Sequence, residues 1–496
     1  MKDSLSLYWG DLHNHCGISY GFGSLRNALE QAAKHLDFCC VTGHAMWPDM
    51  IPSNEETAFL VEYHKAGFAK LREHWPEVLA AINVANSEKL VTFQSYEMHS
   101  MHYGDYHIVS PDPNLPLIER NTPWELVRDC GCRSIVVPHH IGYTPGYRGI
   151  SWDDFNPATS PIVEVYSKHG CSMRAHGPFH YYHDMGPLDA HNTVAEGLRR
   201  GYRFSFVGST DHHAGFPGSY GDGLAGVWAT EKTRDGIWDA IRKGHTYAVT
   251  GDRIACRFTV NEGMMGDVIS GSGKRDIRFQ CSGDDVIALV TIRKNGRIIR
   301  SLVPTATTGS SGVYKLRLEL GWGNSPELFS WAGSIRVEKG ALQKVQPYYR
   351  GRNALSPSEK EANHQDQTNA LQNALEYTPG GMEFTCQTVC NVSTLHPQTN
   401  AFVLTVSGSE DTVLSGNING HTFRATLGQL LRYGFTEHMK PWHSHAFQFQ
   451  TALSVEACEA ELAFTDEAET AADYYQAEVV QENGCRAFVS PVFCRE

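Results

Sequence analysis

The clearest pattern in the sequence is a β-strand that runs into metal-ligand side chains. It reads Ser4-Leu-Ser-Leu-Tyr-Trp9 and then Gly10-Asp-Leu-His-Asn-His15. In an extended segment, residues two apart face the same way, so the imidazoles of His13 and His15 can reach one cation. Histidine is the commonest metal ligand in proteins. The stretch therefore predicts a metal-binding pair at the carboxyl end of a strand.

The same arrangement recurs along the first half of the chain. Short apolar runs alternate with helical patterns, and polar residues follow these runs at His44, Glu97, His139 and Asp211-His-His213. Active sites of α/β barrels are built at the carboxyl ends of their strands. The alternation therefore predicts a parallel β/α domain of barrel type over residues 1–255, with these polar residues gathered at one end.

The second half has a different sequence pattern, with short runs in which polar and apolar residues alternate. These runs predict strands at Ile277–Cys281, Val286–Arg293, Tyr314–Leu320, Ala401–Val406, Thr422–Leu427 and Tyr474–Val480. Asn295-Gly296 is typical of a hairpin turn. The stretch 350–381 is polar and predicts a surface insertion. Residues 256–496 are therefore expected to form a mostly β, sandwich-like region, in one part or two.

The composition narrows the class of protein. The chain has 496 residues, 25 histidines and a net charge of −13. Affinity for nucleic acid rests largely on Lys and Arg contacts to phosphates, so this charge argues against such a partner. No apolar run reaches the roughly 18 residues of a membrane-spanning helix. Thirteen cysteines, with Cys39 and Cys40 adjacent, predict reduced thiols and hence a cytoplasmic protein. The composition leaves the oligomeric state open.

Six segments of the first half resemble the motifs of the PHP (polymerase and histidinol phosphatase) superfamily and occur in the same order. They are Asp11-Leu-His-Asn-His15, Val41-Thr-Gly-His44, Tyr96-Glu97, His107, Pro138-His139 and Asp211-His-His213. Three further strings resemble those of a less characterised branch of that superfamily, namely 163–170, 247–254 and the final 474–493. The resemblance implies a distorted β/α barrel that holds two or three divalent metal ions.

The resemblance also implies which side chains hold the ions, with Glu97 bridging two of them. The implied ligands are His13, His15, Glu97 and Asp211 for a first site, Glu97, His107 and His139 for a second, and His44 and His213 for a third.

Two positions depart from the pattern of that superfamily. Gly43 stands where relatives carry an acid, and Gly21 stands where many carry a further histidine. Both losses affect the third site. The sequence therefore predicts two firmly held ions, with a third as the alternative. Imidazole and carboxylate ligands leave zinc, manganese and iron open.

The leading functional hypothesis is a metal-dependent hydrolase of the phosphoesterase type. A metal-activated hydroxide would attack phosphorus. His140 or His169 would protonate the leaving group, and Lys168 or Arg174 would orient the anion. The expected substrate is a small molecule or a carbohydrate, with phosphate as its reacting group. Two alternatives remain, because fold does not fix function. One is a metal-dependent lyase or hydrolase acting on a carbohydrate or other non-phosphate substrate, and the other is a non-catalytic, metal-stabilised binding protein.

Overall fold

The computed structural model describes residues 5–181, 185–271, 273–305, 311–325, 327–352, 354, 371–391 and 397–495. Within these ranges the chain is mixed α/β and contains more strand than helix. Almost all of the helix lies before residue 244, whereas strands run from Ser6 to Arg495. None of the helices in these ranges combines the length and the apolar character needed to cross a membrane. All thirteen cysteines are free thiols.

The first half alternates strands and helices, as its sequence pattern predicts. Its strands are β1 (Ser6–Asp11), β2 (Phe38–Cys40), β3 (Gly43–Met46), β4 (Val91–Met98), β5 (Tyr106–Ser110), β6 (Ile135–Pro138), β7 (Ile162–Ser167), β8 (Gly170–Cys171), β9 (Ser205–Gly208), β10 (Leu224–Ala229) and β11 (Thr246–Val249). Its α-helices are α1 (Leu25–Ala32), α2 (Ala58–Glu73), α3 (Trp75–Ala85), α4 (Pro123–Asp129), α5 (Val194–Arg199) and α6 (Arg234–Lys243).

Local capping sets the ends of these helices. At α4 the Thr122 side chain accepts a hydrogen bond from the Glu125 backbone N–H, and the Glu125 carboxylate accepts one from the Thr122 N–H. This reciprocal capping box satisfies two N–H groups that the helix cannot pair internally. Pro76 lies in the first turn of α3, where proline is tolerated, and the long helical pattern is divided just before it at His74.

The sheet of the first half is open, so the expectation of a closed barrel is wrong for the residues that the structure describes. Within the first half of this sheet the parallel neighbours are β1 with β2, β2 with β4, and β3 with β4. On one side β5 and β6 continue antiparallel, and on the other side β10 and β11 do the same. The parallel pair of β7 and β9 belongs to a separate three-stranded sheet. Antiparallel neighbours need no crossover helix, so the chain does not repeat one βα unit around a barrel.

The second half consists almost entirely of strands. They are β12 (Ala255–Val260), β13 (Gly263–Met264), β14 (Val268–Ser270), β15 (Lys274–Ser282), β16 (Ile287–Lys294), β17 (Arg297–Leu302), β18 (Val313–Gly321), β19 (Phe329–Tyr348), β20 (Ala374–Thr378), β21 (Gly381–Thr388), β22 (Thr399–Ile418), β23 (His421–Thr426), β24 (Phe435–His438), β25 (Ala446–Phe449), β26 (Leu453–Ser454), β27 (Glu459–Glu467), β28 (Tyr474–Gln481) and β29 (Arg486–Arg495), with the short helix α7 (Leu427–Leu430). The six strands and the hairpin turn predicted here are confirmed. Asn295 and Gly296 both have positive φ between β16 and β17, as a tight hairpin turn requires.

A nine-stranded antiparallel sheet forms the larger part of the second half. Its order is β20-β21-β19-β22-β18-β25-β24, with β23 beside β22 and β26 beside β18. The two central strands, β19 and β22, are each 20 residues long and shift register near Gly340 and Lys344. Such bulges bend long strands. Alternate residues of β18 pack with those of β22 in a separate apolar core, through Leu318 and Phe402 among others.

The two halves share one sheet of thirteen strands. Its order is β17-β16-β28-β29-β11-β10-β1-β2-β4-β5-β6, with β14 beside β29 and β3 beside β4. The link is the pairing of β11 with β29, in which Tyr247 lies opposite Val489. A smaller sheet, β13-β12-β15-β27, packs its apolar side chains into the same core. The domain boundary at residue 255 stays a prediction, because strands from both sides of it belong to the same sheet.

The polar stretch 350–381 lies partly outside the described residues, which omit 353 and 355–370. Its last part is not the loop that the composition predicts. Ala374–Thr378 forms the edge strand β20 of the nine-stranded sheet, and the side chains of Leu371 and Asn373 are buried. The polar composition of β20 fits an edge strand whose side chains are largely exposed.

Candidate metal centre

The predicted ligands come from the carboxyl ends of adjacent strands and the loops that follow them. His13 and His15 follow β1, and Glu97 lies in β4. Across the sheet, Glu97 pairs with His44 of β3 on one side and with His107 of β5 on the other. Directly paired residues point their side chains to the same face of a sheet. Sheet pairing therefore places these side chains within reach of one another.

The loop that carries Asp211 is fastened to the loop after β1. The Asp211 backbone N–H donates to the His13 carbonyl at 2.8 Å, and the His15 N–H donates to the His212 carbonyl at 2.8 Å. Asp11, two residues before His13, accepts hydrogen bonds from Thr210 and Gly218. Burial raises the pKa of Asp11 to about 6, although these hydrogen bonds act to lower it. Asp11 therefore holds the loops together and is not a ligand.

Four donor atoms of the first predicted site converge on one point. The Nε2 atoms of His13 and His15 lie 3.0 Å apart. Asp211 Oδ1 lies 3.1 Å from His15 Nε2 and 3.7 Å from His13 Nε2. Glu97 Oε2 lies 3.4 Å from His15 Nε2 and 3.7 Å from His13 Nε2. Ligands about 2.1 Å from a tetrahedral ion lie roughly 3.4 Å from one another, so these spacings suit a bound ion.

Glu97 presents its two oxygens to different imidazoles, as a bridging carboxylate would. Oε2 faces His13 and His15, and His44 Nε2 lies 3.4 Å from it. Oε1 accepts from His139 Nε2 at 3.1 Å, and His99 Nδ1 lies 3.3 Å from it. The side chain is 2% exposed. A carboxylate in this position can serve two ions at once.

The residues of the second predicted site lie close together, and further polar side chains lie among them. The rings of His107 and His139 approach to 3.3 Å between their Nδ1 atoms. Together with His13 they form a buried group whose donor atoms lie within 4.8 Å of one another. A second such group joins His139 and Glu97 to His140 and Asp105. The structure thus gathers His107, His139 and Glu97 and adds neighbours that the resemblance does not imply.

The third predicted pair, His44 and His213, lies beside His15 in another such group. There is no free space for a side chain at Gly43. A Cβ there would lie 2.6 Å from the Leu71 side chain and 3.2 Å from that of Ile18. Asp49, the acid next downstream in the sequence, is used elsewhere. Its carboxylate accepts from the Ser100 hydroxyl and from two backbone N–H groups. Asp49 is therefore engaged elsewhere and does not supply the acid that the resemblance implies at position 43.

Hydrogen bonds orient several imidazoles so that Nε2 faces the cluster. His15 Nδ1 donates to the Thr42 carbonyl at 2.6 Å, and His213 Nδ1 donates to the Asp211 carbonyl at 3.1 Å. His44 Nδ1 lies 2.9 Å from the Ser19 hydroxyl. An acceptor on Nδ1 fixes the tautomer in which Nε2 carries the lone pair that binds metal.

Several buried atoms of the cluster lack a hydrogen-bond partner among the described residues. They are His13 Nδ1, Glu97 Oε2, His107 Nε2 and His140 Nδ1. Glu164 Oε2 lies 3.5 Å from His13 Nδ1. Buried polar atoms are nearly always satisfied in proteins, so orphaned atoms at one place indicate a missing ion or ligand. The buried His, Asp and Glu groups could therefore hold metal ions, and they fit the donor set that zinc, manganese and iron accept.

The charge states of most of the cluster also suit cations. The exception is His13, where burial acts to lower the pKa but Asp211, Glu164 and Glu97 outweigh it and hold that pKa well above its usual value. Burial lowers the pKa of His44, His107 and His213 well below the usual value, and neighbouring imidazoles lower it further. Burial lowers the pKa of His139 to about 4. Burial alone would raise the pKa of Glu97, but the surrounding imidazoles outweigh it and hold that pKa well below its usual range. Neutral imidazole and ionised carboxylate are the forms that bind metal.

The residues proposed for catalysis divide into two pairs. His140 and His169 line the cavity over the cluster. His140 Nε2 lies 3.4 Å from Asp105, and His169 Nε2 lies 2.9 Å from Asp211 Oδ2. Lys168 and Arg174 do not line this cavity.

Lys168 and Arg174 are engaged by other acids. Lys168 Nζ lies 3.5 Å from Asp222 Oδ1. Arg174 donates to both carboxylate oxygens of Glu478 in β28, at 3.0 and 2.7 Å. The sequence could not reveal this pairing, because Glu478 lies 304 residues away. The anion-binding role predicted for Arg174 therefore has no geometric support.

Sequence reasoning missed a second layer of polar side chains around Glu97. His99 Nδ1 lies 2.9 Å from Asp105 Oδ2, and the Tyr20 hydroxyl lies 2.9 Å from His99 Nε2. Arg148 pairs with the same Asp105 oxygen and stacks over Trp47 at 5.3 Å. Arg148 has a positive φ of 67° on an irregular loop, where no periodic pattern exists to reveal it. The one available signal was the nearness of His99 to Glu97 in the sequence.

Comparisons with known proteins give limited likenesses. The family described as "Protein of unknown function (DUF3604)" matches residues 219–272. An uncharacterised protein of Chlamydia trachomatis serovar D is 29% identical over 173 residues, which are 32% of this chain and 28% of that protein. A protein of Chlamydia pneumoniae, also uncharacterised, is 28% identical over the same shares. The match thus spans little more than a quarter of the length of these curated relatives.

One solved structure has low similarity over most of the chain. It is a two-domain protein from Bacteroides vulgatus that contains a predicted PHP-like metal-dependent phosphoesterase. It is 11% identical, with a TM-score of 0.33, and the match covers 85% of this chain and 96% of that one. The function is therefore inferred from the side chains around Glu97.

Proposed function

We propose that the chain is a metal-dependent hydrolase that cleaves phosphate esters. The observation that supports this most is Glu97, whose two buried oxygens face two sets of imidazoles at the floor of a cavity. His13, His15, Glu97 and Asp211 would hold one ion, and Glu97 with His107 and His139 would hold a second. When bound, such ions neutralise phosphate oxygens and lower the pKa of water enough for it to attack.

The protein's own residues position the substrate and move its protons. His140 presents a buried Nδ1 without a hydrogen-bond partner among the described residues, while its Nε2 faces Asp105 at 3.4 Å. The pKa of Asp105 is held well below its usual range, because Arg148 and His99 outweigh the effect of burial. The ionised Asp105 holds the His140 ring through Nε2, which leaves Nδ1 available to exchange a proton with the leaving oxygen. His169, whose Nε2 is hydrogen-bonded to Asp211 Oδ2, is the second candidate for donating that proton.

Arg148 replaces Arg174 in the proposal as the group that orients the substrate anion. It lines the cavity, and its Nε lacks a hydrogen-bond partner within the described ranges. Its side chain is held in place from two sides, by the Asp105 carboxylate and by the ring of Trp47. A planar guanidinium fixed in this way suits a phosphate oxygen.

The proposal is tested with purified protein loaded in turn with zinc, manganese and iron. We expect turnover of at least one member of a panel of phosphomonoesters and diesters, with loss of both metal and turnover in His13→Ala. The matched control is His191→Ala, since His191 is an exposed histidine outside the cluster. Metal-replete protein that turns over no phosphate ester would rule the proposal out.

The same preparation separates the alternative functions. A lyase acting on a carbohydrate would create an unsaturated product with new ultraviolet absorbance. Hydrolysis of a non-phosphate ester or amide would appear on a separate substrate panel. A binding protein would hold metal and turn over neither class.

A further inference from the structure

The cavity over the metal-ligand residues has a polar floor and an aromatic wall. These residues are called the Glu97 cluster here and are His13, His15, His44, Glu97, His107, His139, Asp211 and His213. The volume of the cavity is about 370 Å³. His44, Glu97, Asp211 and His213 form the floor. Five aromatic side chains rise from that floor to the mouth, namely Tyr20, Trp47, Phe59, Tyr63 and Tyr147. A cavity of this size is near the lower limit for small-molecule sites, so it suits a ligand of one ring with a small head group.

The rings of the wall form a continuous surface. The Tyr20 and Tyr63 rings lie 4.7 Å apart between centroids, and Phe59 stacks on Tyr63 at 5.7 Å with an angle of 29° between their planes. Phe59 and Tyr63 are one turn apart on α2, so the helix presents both to the same side. Tyr20 continues this surface to the floor, where it stacks on His44 at 3.5 Å.

The mouth exposes large aromatic side chains to solvent. Phe59 is 41% exposed and Tyr147 is 62% exposed. Exposed apolar groups that adjoin one another at a cavity mark a site where a ligand covers them. Planar aromatic groups stack on such rings at 4.5–7 Å between centroids, which is the spacing already found within the wall.

Some hydrogen-bonding groups of the wall are already engaged, whereas Trp47 Nε1 is buried without a hydrogen-bond partner among the described residues. The Tyr20 hydroxyl is occupied by His99, and His64 Nδ1 donates to the Leu60 carbonyl at 2.7 Å. Among the described residues that line the cavity, Arg148 is the one Arg or Lys side chain, and Asp105 already pairs with it. The wall therefore presents mostly ring faces, on which a planar aromatic group can stack and a polyol, which has no flat face, cannot.

We infer that the cavity binds the monophosphate ester of an aromatic alcohol, with its ring against the aromatic wall and its phosphate at the Glu97 floor. The identity of the anionic head rests on the proposed function, whereas the aromatic body rests on the wall alone. A polyol phosphate of similar size has no ring to stack on this wall.

The first experiment compares two substrates of the metal-loaded protein. Benzyl phosphate and glycerol 1-phosphate both release a primary alcohol, so their intrinsic reactivities are similar. We expect kcat/KM to favour benzyl phosphate by about tenfold or more, the scale of one aromatic stacking contact plus the burial of a ring. Phe59→Ala should reduce this ratio severalfold. Val84→Ala, at a more exposed apolar residue of helix α3 that does not line the cavity, should leave it unchanged.

The second experiment measures binding without turnover. Benzylphosphonate and ethylphosphonate have no ester bond to cleave, and calorimetric titration compares their affinities for the metal-loaded protein. Tighter binding of benzylphosphonate, weakened in Phe59→Ala, supports the inference even if every phosphate ester resists hydrolysis, in which case only the proposed function fails. Equal affinities, equal kcat/KM values, or a ratio that Phe59→Ala does not change would overturn the inference while leaving phosphoesterase activity in place.

Discussion

The Glu97 cluster and the junction around Asp252 both bury charged side chains, but they do so in opposite ways. At the junction, Asp252 accepts two hydrogen bonds of 2.6 Å from Arg317 of β18 and others from Tyr220 and Gln481. Each member of the Asp252–Arg317 pair thus meets an opposite charge from the protein itself, and one buried nitrogen, Arg317 Nε, has no hydrogen-bond partner among the described residues. In the Glu97 cluster, imidazoles crowd two carboxylates and leave buried atoms without partners.

The difference separates a structural polar group from a functional one. A buried pair whose charges neutralise each other needs no further ion, and its role is to join two parts of the molecule. A buried cluster in which several imidazole and carboxylate atoms converge without partners indicates a bound ion or ligand. On this comparison, perturbing the Glu97 cluster should change activity and metal content, whereas perturbing Asp252 should change stability alone.

Glu97→Gln should have the largest effect on the metal centre. The amide carries no charge to hold two ions together, so the loss should exceed that for any single histidine and reach about 10³-fold in kcat/KM, or roughly 4 kcal/mol. Metal content measured by mass spectrometry should fall with it. Glu376→Gln, at an exposed residue of β20, is the matched control. Full metal content with near-native turnover in Glu97→Gln would mean that Glu97 is not the bridge.

Asp252→Asn should instead lower the free energy of unfolding by about 3 kcal/mol, because it leaves Arg317 buried without its counter-charge. Burial by itself would raise the pKa of Asp252, but Arg317 and the hydrogen bonds around it hold that pKa below the usual 3.8. The stabilisation is therefore present above pH 3.8 and is lost as the pH falls through the lower, folded-state pKa. Urea unfolding between pH 7 and pH 3 measures both effects.

Asp239→Asn, on the exposed face of α6, is the control for that experiment. Metal content should be the same in both variants. A loss of metal in Asp252→Asn that matches the loss of stability would contradict the division between the two regions.

Adding metal should stabilise the first region and not the nine-stranded sheet. At a free concentration of 100 times Kd, binding to the folded state contributes about 2.7 kcal/mol. Hydrogen exchange should therefore slow in the strands that carry ligands, β1, β4 and β5, and stay unchanged in β18 and β22. Titration should end near two tightly held ions per chain. Three chelator-resistant ions, or equal protection of both regions, would show that the comparison is wrong.

Gly43→Asp should have the smallest effect, and it should be structural. The new side chain would overlap Leu71, so we expect a loss of about 2 kcal/mol in unfolding free energy from overpacking. Metal content should not rise above two, because the space for a third-site acid is filled. Gly380→Asp, where a Cβ would meet nothing closer than 3.8 Å, is the matched control. A third firmly bound ion in Gly43→Asp would contradict this prediction and would mean that the Leu71 side chain moves aside for the new carboxylate.

The sequence predicts local structure and ligand types well, because both leave short-range patterns. The H-x-H after β1 and the alternation in β15 and β28 are visible within a few residues. The order and direction of the strands in the sheet leave no such local pattern. The antiparallel pairing of β1 with β10, for example, joins strands that lie far apart in the chain. For the same reason the sequence could not predict that Arg174 pairs with Glu478 or that Arg148 lies beside Asp105.

The position of β29 has a consequence for how the chain is made. This strand lies between β11 and β28, and nearly half of the chain separates it from its partner β11. During synthesis, β11 is an unpaired edge that faces the crowded cell, and such edges recruit foreign strands. Pairing across so long a separation is also slow, because the entropy of closing the loop must be met first. We therefore expect the edge of β11 to stay exposed in the nascent first half until β29 has been synthesised and pairs with it.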